Sequence, residues 1–302
     1  MTDNMHFDVI IIGGSYSGLS AGMALGRAMR KVLIIDDGKP CNIQTPHSHN
    51  FLTQDGKTPQ EISAIAREQL GKYQTVRFYA GLAVSVTKTS QGFEIRTQSG
   101  DILRANKLVF GTGVRDLMPD IPGFKECWGI SIIHCPYCHG YEVQNEITGV
   151  LGNGDAGFNT AREIYHWTKS LTLFTNGESL LTEAQTAELQ KHQISIVETK
   201  IDSFVHRQGQ LQHVLFLDGF WAEMKALYAR PPYQQHSNMP ETLGCELTEQ
   251  GHLKVDMFQK TSVRGVFACG DNSTPLRSVS NAVAMGTIAG AMVNKEMIEE
   301  EF

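Results

Sequence analysis

Cys135-Pro136-Tyr137-Cys138-His139-Gly140 sets two thiols three positions apart, with an imidazole directly after the second. That spacing suits two-step thiol exchange: one cysteine attacks a partner disulfide and the other stands near enough to resolve the mixed disulfide. The same letters read C-x-x-C-H, the haem attachment pattern, and with His134 they offer four soft or borderline ligands for a structural zinc. Haem attachment goes with export, and residues 1–6 show no basic stretch followed by an apolar core. Zinc needs tetrahedral convergence, which histidines as close in sequence as His134 and His139 rarely reach together with two cysteines. Spacing alone leaves all three open; thiol exchange is the expectation carried forward, and no resident metal is expected.

Two glycine-rich signatures flank the cysteines. The first, Gly13-Gly14-Ser15-Tyr16-Ser17-Gly18, follows the apolar run Val9-Ile10-Ile11-Ile12 and opens into residues 19–25, which are spaced as a helix. Strand, tight turn and helix bring backbone N–H groups close to a pyrophosphate at the helix N-terminus. Ser15 departs from the second glycine of the pattern. Eighteen residues past Gly18, the strand Val32-Leu33-Ile34-Ile35 ends at Asp36, placed to accept the hydroxyl hydrogens of an adenosine ribose, with Asp37 beside it as a second carboxylate or a plain surface charge. The second signature, Gly152-Asn153-Gly154-Asp155-Ala156-Gly157, has all three glycines. The same count from Gly157 reaches Thr175, Asn176 and Gly177, where neither a carboxylate nor an arginine stands. A nicotinamide nucleotide there would lack the usual ribose acceptor and the usual cationic clamp for a 2′-phosphate. Glu178 is a weak substitute, and a relic fold that no longer binds dinucleotide is the competing reading.

Holding these three stretches calls for two similar units, one inserted in the other. After the first signature the pattern predicts a helix over Pro59–Leu70 and a hairpin from 93–97 through Ser99-Gly100 into Ile102-Leu103. After the second it predicts a helix over 182–191 and a hairpin from 203–205 through Gln208-Gly209-Gln210 into 211–216. Breaker-rich residues 118–123 mark the first crossing, 240–246 the second, and Gly265-Val266-Phe267-Ala268-Cys269-Gly270-Asp271 reads as a last strand returning to the first unit. The expectation is an α/β chain of two Rossmann-like three-layer (ββα) dinucleotide-binding domains: 1–117 and 244–302 form the first, and 118–243 forms the inserted one with the cysteines.

At 302 residues the chain exceeds what one core favours. A net charge of −6 without basic runs argues against nucleic acid as partner. No apolar stretch approaches the roughly 18 residues that span a bilayer, so no membrane is expected. The remaining cysteines, Cys41, Cys127, Cys245 and Cys269, have no pair spacing, which fits a reducing, cytoplasmic setting.

In their order over essentially the whole chain, these motifs resemble the low-molecular-weight thioredoxin reductase-like flavoproteins, which use FAD and NAD(P)H. The resemblance implies an FAD site built from Gly13, Gly14, Ser15, Tyr16, Ser17, Gly18, Asp36, Asp37, Asn50, Thr112, Gly113, Gly270, Asp271, Arg277, Ser278 and Val279. Asp271 would meet the ribityl or phosphate region, and Arg277 with Ser278 would lie beside the flavin at the head of the final helix, Ser278 standing where the family has glutamine. NADPH or NADH would use Gly152, Gly154, Asp155, Ala156 and Gly157. Closer still is a subgroup whose active site reads Cys-Pro-x-Cys-His-Gly-Tyr-Glu, matched through Tyr141 and Glu142. It contains reductase-like proteins and dithiol oxidases similar to those that close the disulfide of gliotoxin-type metabolites. The segment Asn50-Phe51-Leu52-Thr53-Gln54-Asp55-Gly56 and Arg230-Pro231-Pro232 resemble it as well.

By that resemblance Cys138 faces the flavin and Cys135 exchanges with substrate, while His139 stands where classical members carry an aspartate acid and moves protons as thiol becomes thiolate. A merely packed histidine is the alternative for His139, and Glu142 is placed by sequence to orient it. The implied reaction passes electrons from nicotinamide through FAD to Cys135–Cys138 and on to a thioredoxin-like protein or a small-molecule disulfide. A dithiol oxidase using FAD and oxygen without nicotinamide is the second reading, and a flavin-containing sensor with structural cysteines is a third. A homodimer is expected on the same basis.

Overall fold

The computed structural model describes residues 6–302, so the reading of residues 1–5 as free of an export signal lies outside the described residues. The chain divides into two compact units: Met1–Ile43, Phe51–Arg115 and Tyr233–Phe302 in one, Gln44–Asn50 and Asp116–Pro232 in the other.

In the first unit, parallel strands run Val76–Ala80, Val32–Asp36, His6–Ile12 and Ile102–Phe110 in spatial order. The long strand Ile102–Phe110 then forks. Its first residues pair antiparallel with Gly92–Thr97, which continues to Ala83–Thr89, and its last residues pair parallel with Val266–Ala268. Alternation along His6–Ile12 explains the layering, because successive side chains of a strand point to opposite faces. Val9 and Ile11 enter one core, with Leu19 and Leu25 of the helix Tyr16–Arg27 and Met285, Val293 and Met297 of the final helix Val279–Glu301. Ile10 and Ile12 enter the other, with Phe93, Ile95 and Leu103; Phe7, near the strand's start, joins this core too, out of step with the alternation. Each fully buried side chain of this size contributes about 1.5–3 kcal/mol relative to exposure.

The second unit repeats the plan. Its parallel sheet runs Ser195–Val197, Leu171–Phe174, Thr148–Leu151, Ala226–Ala229, Ile132–Ile133, and a three-stranded antiparallel sheet of Ile201–Arg207, Gln210–Phe216 and Trp221–Glu223 joins it. Both units start a helix with the same device. Thr58 caps Pro59–Leu70 in a reciprocal box with Glu61, and Thr182 caps Glu183–Lys191 with Gln185.

The division departs from the expected boundaries. The second crossing falls at Pro232/Tyr233 rather than near 243, because the short helix Met239–Thr242 drops Met239 into the first unit's core beside Cys245 and Leu253. The first crossing falls at Arg115/Asp116. Residues 44–50 leave the first unit to pack on the second, an excursion that no composition change announces. Gly129, at φ +76°, lets its backbone approach the strap: a side chain there would stand 2.9 Å from Gln44 Nε2 and 3.1 Å from Thr45 Oγ1. Among the described residues no helix is long and apolar enough to cross a membrane.

Candidate active site

Cys135 is the N-cap of a single helical turn, Pro136–His139, and Pro136 fits its first position because proline lacks only an N–H that would go unused there. The turn brings Cys138 back over Cys135, and the two sulfurs are joined as a disulfide with Cα atoms 5.3 Å apart. The Cys138 amide donates to Cys135 Sγ across 3.1 Å. With each sulfur bonded to the other, neither serves as a thiolate ligand for zinc, and His134 stacks on Trp128 instead. Tyr137 meets Trp167 edge-on at 5.5 Å, and Gly140 passes so close beneath Trp167 that a Cβ would stand 2.8 Å from the ring.

His139 is half-buried, and that burial lowers its pKa below the usual imidazole value; Glu142 pulls it up and His49 pushes it down further. The imidazole is therefore held in its neutral, proton-accepting form near neutrality. Glu142 does not orient His139 by a direct bond. Its Oε1 lies 3.5 Å from His49 Nε2, on the 44–50 strap, while the His49 and His139 rings meet edge-on with centroids 6.5 Å apart. His49 carries no sequence signal, since only the fold brings it beside His139 and Glu142.

The first glycine signature forms the expected turn. Gly13, at φ +105°, lies so near Gly111 that a side chain would meet the Gly111 carbonyl oxygen at 2.2 Å. Ser15 is the N-cap of Tyr16–Arg27 but makes no side-chain cap bond, and Asn42 donates to the Tyr16 hydroxyl. Asp36 accepts from the Gly14 amide at 3.2 Å and pairs with Arg67, which also reaches the Gly14 carbonyl oxygen. Gly14, Ser15, Asp36, Asp37, Arg67 and Phe78 line a cavity of about 940 Å³. That volume lies in the range of small-molecule sites.

Farther along the same unit, Ser17 lies beneath Gly270, whose Cβ would stand 2.7 Å from Ser17 Oγ; Asp271 pairs with Arg277 at 3.5 Å. The Ser278 hydroxyl accepts from Asn281 N to cap the final helix and lies 3.2 Å from the Ser280 hydroxyl. Asn272, fully buried, donates to the carbonyl oxygen of Phe110 and to Thr112, next to Gly113, while its Oδ1 has no hydrogen-bond partner. An orphaned buried acceptor of this kind asks for a donor from a bound group. Its only signal in the sequence was its place after Gly270-Asp271. Asn50, expected with this set, sits in the strap that belongs to the second unit. These features fit FAD: a close-approach glycine turn at a helix N-terminus, a ribose-side carboxylate, a cavity of adequate size and an unmet acceptor.

The second signature has the glycine shape, with Gly157 packed tightly on Gly152, but the Gly154 amide is already taken within the loop. Asn153 Oδ1 accepts from the amides of Gly154 and Leu180, each at 2.8 Å, and Asn153 Nδ2 donates to the Glu178 carbonyl oxygen. Asp155 stands in the first turn, held by Gln185 at 2.7 Å, where a pyrophosphate would meet negative charge. Ala156 follows it, exposed. At the strand end, Thr175 and Asn176 turn their side-chain oxygens to the backbone at Gly177 and Ile201. Thus the shape suits a nicotinamide nucleotide, while the captured Gly154 amide and the Asp155 charge oppose it. Asn153 stood inside the motif without an assigned role.

The pattern of the family described as pyridine nucleotide-disulphide oxidoreductase matches residues 7–286. The chain is 36% identical over 304 residues to a thioredoxin reductase, tcpT, of Claviceps purpurea, covering 97% of this chain and 95% of that protein. Its fold is similar to that of a putative thioredoxin reductase, TrxB, from Bacillus anthracis, with TM-score 0.94 and 30% identity over 98% of this chain and all of that one. An oxidoreductase from Agrobacterium tumefaciens is similar as well, with TM-score 0.91 and 36% identity over 98% and 99% of the two chains.

Proposed function

The chain belongs to the pyridine nucleotide-disulphide oxidoreductase family, and on that premise we propose that its Cys135–Cys138 pair passes electron pairs from FAD to a disulfide held in a small molecule or a thioredoxin-like protein. It is a flavin-dependent disulfide oxidoreductase of the thioredoxin reductase-like kind, and the cofactors of that kind are FAD and NADPH. When bound, FAD supplies the two-electron chemistry that no side chain offers. The observation that carries the reading is the joined Cys135–Cys138 pair beside a half-buried His139 whose pKa is lowered.

In this reading Cys135, with the Cys138 amide directed at its sulfur, is the thiolate that attacks the partner disulfide. Cys138 then closes on Cys135 and expels the partner. His139 accepts the proton that Cys138 gives up as it becomes a nucleophile and returns it to the departing thiolate. Around the first glycine turn, Gly13 and Gly14 hold the pyrophosphate approach open and Asp36 takes the ribose hydroxyls.

A second reading, a dithiol oxidase fed by its substrate rather than by nicotinamide, is favoured by the Asn153 contacts and by Asp155 at the second signature. Anaerobic mixing of the FAD-loaded protein with NADPH and then with a dithiol separates the two. Prompt bleaching of the flavin by NADPH supports the reductase; bleaching by the dithiol alone supports the oxidase. Bleaching by neither would reject thiol–flavin exchange altogether.

A further inference from the structure

We propose that His49 is a positioning residue for the thiol chemistry, drawing the Glu142 carboxylate to itself so that His139 stays available to take the proton of the Cys135–Cys138 couple. The inference rests on the function proposed above and adds to it a residue from a part of the chain remote in sequence. His49 is 19% exposed, and its Nε2 stands 3.5 Å from Glu142 Oε1. Its ring meets the His139 ring edge-on at 6.5 Å. Glu142 therefore has two imidazoles nearby and pairs with the one on the strap rather than the one that follows Cys138.

That choice has chemical weight. A carboxylate paired with His139 would favour its imidazolium form, which has no free lone pair for a proton. With the carboxylate lying against His49, burial outweighs its upward pull on His139, and the neighbouring His49 adds to the lowering. Other titratable groups lie nearby. His47 lies 6.4 Å from His49 on the same strap, and His166 stands beyond Trp167. Tyr228, 1% exposed with no hydrogen-bond partner for its hydroxyl, lies in the field of both Glu142 and Glu163, and Glu163 is held by Arg230 at 2.8 Å.

The step is balanced as follows. An electron pair delivered by the family's flavin chemistry breaks the Cys135–Cys138 bond and, with one proton taken up, leaves one thiolate and one thiol. The Cys135 thiolate attacks the partner disulfide, forming a mixed disulfide and releasing one partner thiolate. His139 removes the Cys138 proton, the Cys135–Cys138 bond re-forms, the second partner sulfur leaves with the electron pair, and the proton passes from His139 to a departing thiolate. The partner is reduced and the pair is oxidised again. An imidazole already protonated cannot start the third of these movements.

The test reads His139 directly. In protein carrying ¹³C-labelled histidine, the His139 resonance is identified by its loss in His139→Gln, and its titration midpoint is followed in the full chain. His49→Gln frees Glu142 to act on His139 and raises the midpoint by roughly 0.5–1 pH unit, whereas Glu142→Gln lowers it by a similar amount. The acid limb of turnover moves the same way in each variant. Midpoints that stay put, or that shift in one direction in both variants, overturn the proposal. His49→Asn carries the same comparison if the glutamine variant does not fold. Because the midpoints are read without substrate, a cysteine pair inert toward disulfides would defeat the proposed function while leaving these shifts intact.

Discussion

The Cys138 amide points at Cys135 Sγ, 3.1 Å away, while the two sulfurs are still bonded to each other. Once that bond opens, the same N–H is in place to stabilise a thiolate on Cys135, and a neutral sulfur on Cys138 gains nothing equivalent from it. The two cysteines should therefore fail differently. Cys138→Ser leaves the attacking thiolate intact without its resolving partner, so a substrate disulfide becomes trapped as a covalent adduct at Cys135, visible by intact mass. Cys135→Ser forms no such adduct. Turnover falls by at least about 10³-fold in both, in keeping with loss of a nucleophile. Equal trapping at both positions would abolish the assigned order, and trapping only at Cys138 would reverse it.

Asp36 divides its carboxylate between the Gly14 amide and Arg67 at the mouth of the glycine turn. Its replacement by asparagine keeps the shape and removes the charge that accepts hydroxyl hydrogens. A charge-assisted hydrogen bond contributes about 1.5–3 kcal/mol, so Asp36→Asn should weaken FAD binding by roughly ten- to a hundredfold. Recovery of flavin fluorescence on titration of apoprotein with FAD measures this, and an unchanged dissociation constant would move the ribose contact elsewhere.

The first unit's turn was legible because glycine and carboxylate spacings are imposed by local backbone geometry, which neighbouring residues in sequence decide. Thr58 and Glu61, three apart, announce a capped helix for the same reason. His49 beside Glu142 was not legible, because 93 positions separate them and only the seating of the 44–50 strap joins them. Met239 misplaced the second crossing: a Pro-containing stretch reads as a linker, yet its burial in the first core is a tertiary outcome. The second signature lies between these cases. Its missing clamp was evident at Thr175 to Gly177, but the capture of the Gly154 amide by Asn153 depends on where the loop bearing Leu180 returns.

At Gly286 the final helix touches the helix behind the glycine turn. A Cβ there would stand 2.1 Å from the Ser17 carbonyl oxygen and 2.8 Å from Ser20 Cβ. Alanine is the better helix former by about 1 kcal/mol, so local propensity favours Gly286→Ala. The contact is with backbone, however, and overpacking of this kind costs about 1–3 kcal/mol. The substitution should lower the thermal midpoint and, because Ser17 belongs to the turn's own helix, weaken FAD binding as well. A raised midpoint with unchanged flavin affinity would show that the two helices part without consequence.

Lys107, 4% exposed, donates to Glu296 and Glu300 of the final helix at 2.8 Å each, and Glu296 also accepts from Lys260. Burial by itself would raise the Glu296 pKa, but the hydrogen bonds from Lys107 and Lys260 outweigh it and leave the carboxyl below its ordinary value; Glu300 is lowered chiefly by its bond from Lys107. Acids depressed on folding contribute stability that is complete above their unfolded pKa and disappears as pH falls through the folded one. The wild-type melting midpoint should thus drop as pH goes from about 5 to about 3, on account of these two groups. Lys107→Met removes one charged donor from each carboxylate, leaving Lys260 on Glu296 and Arg264 on Glu300, and should cost about 1.5–3 kcal/mol at neutral pH. As acid neutralises Glu296 in the variant, the gap from wild type should narrow, a convergence that melting curves across this pH range detect. A gap that is constant or widens toward low pH would mean that the anchoring of the final helix does not run through these charges.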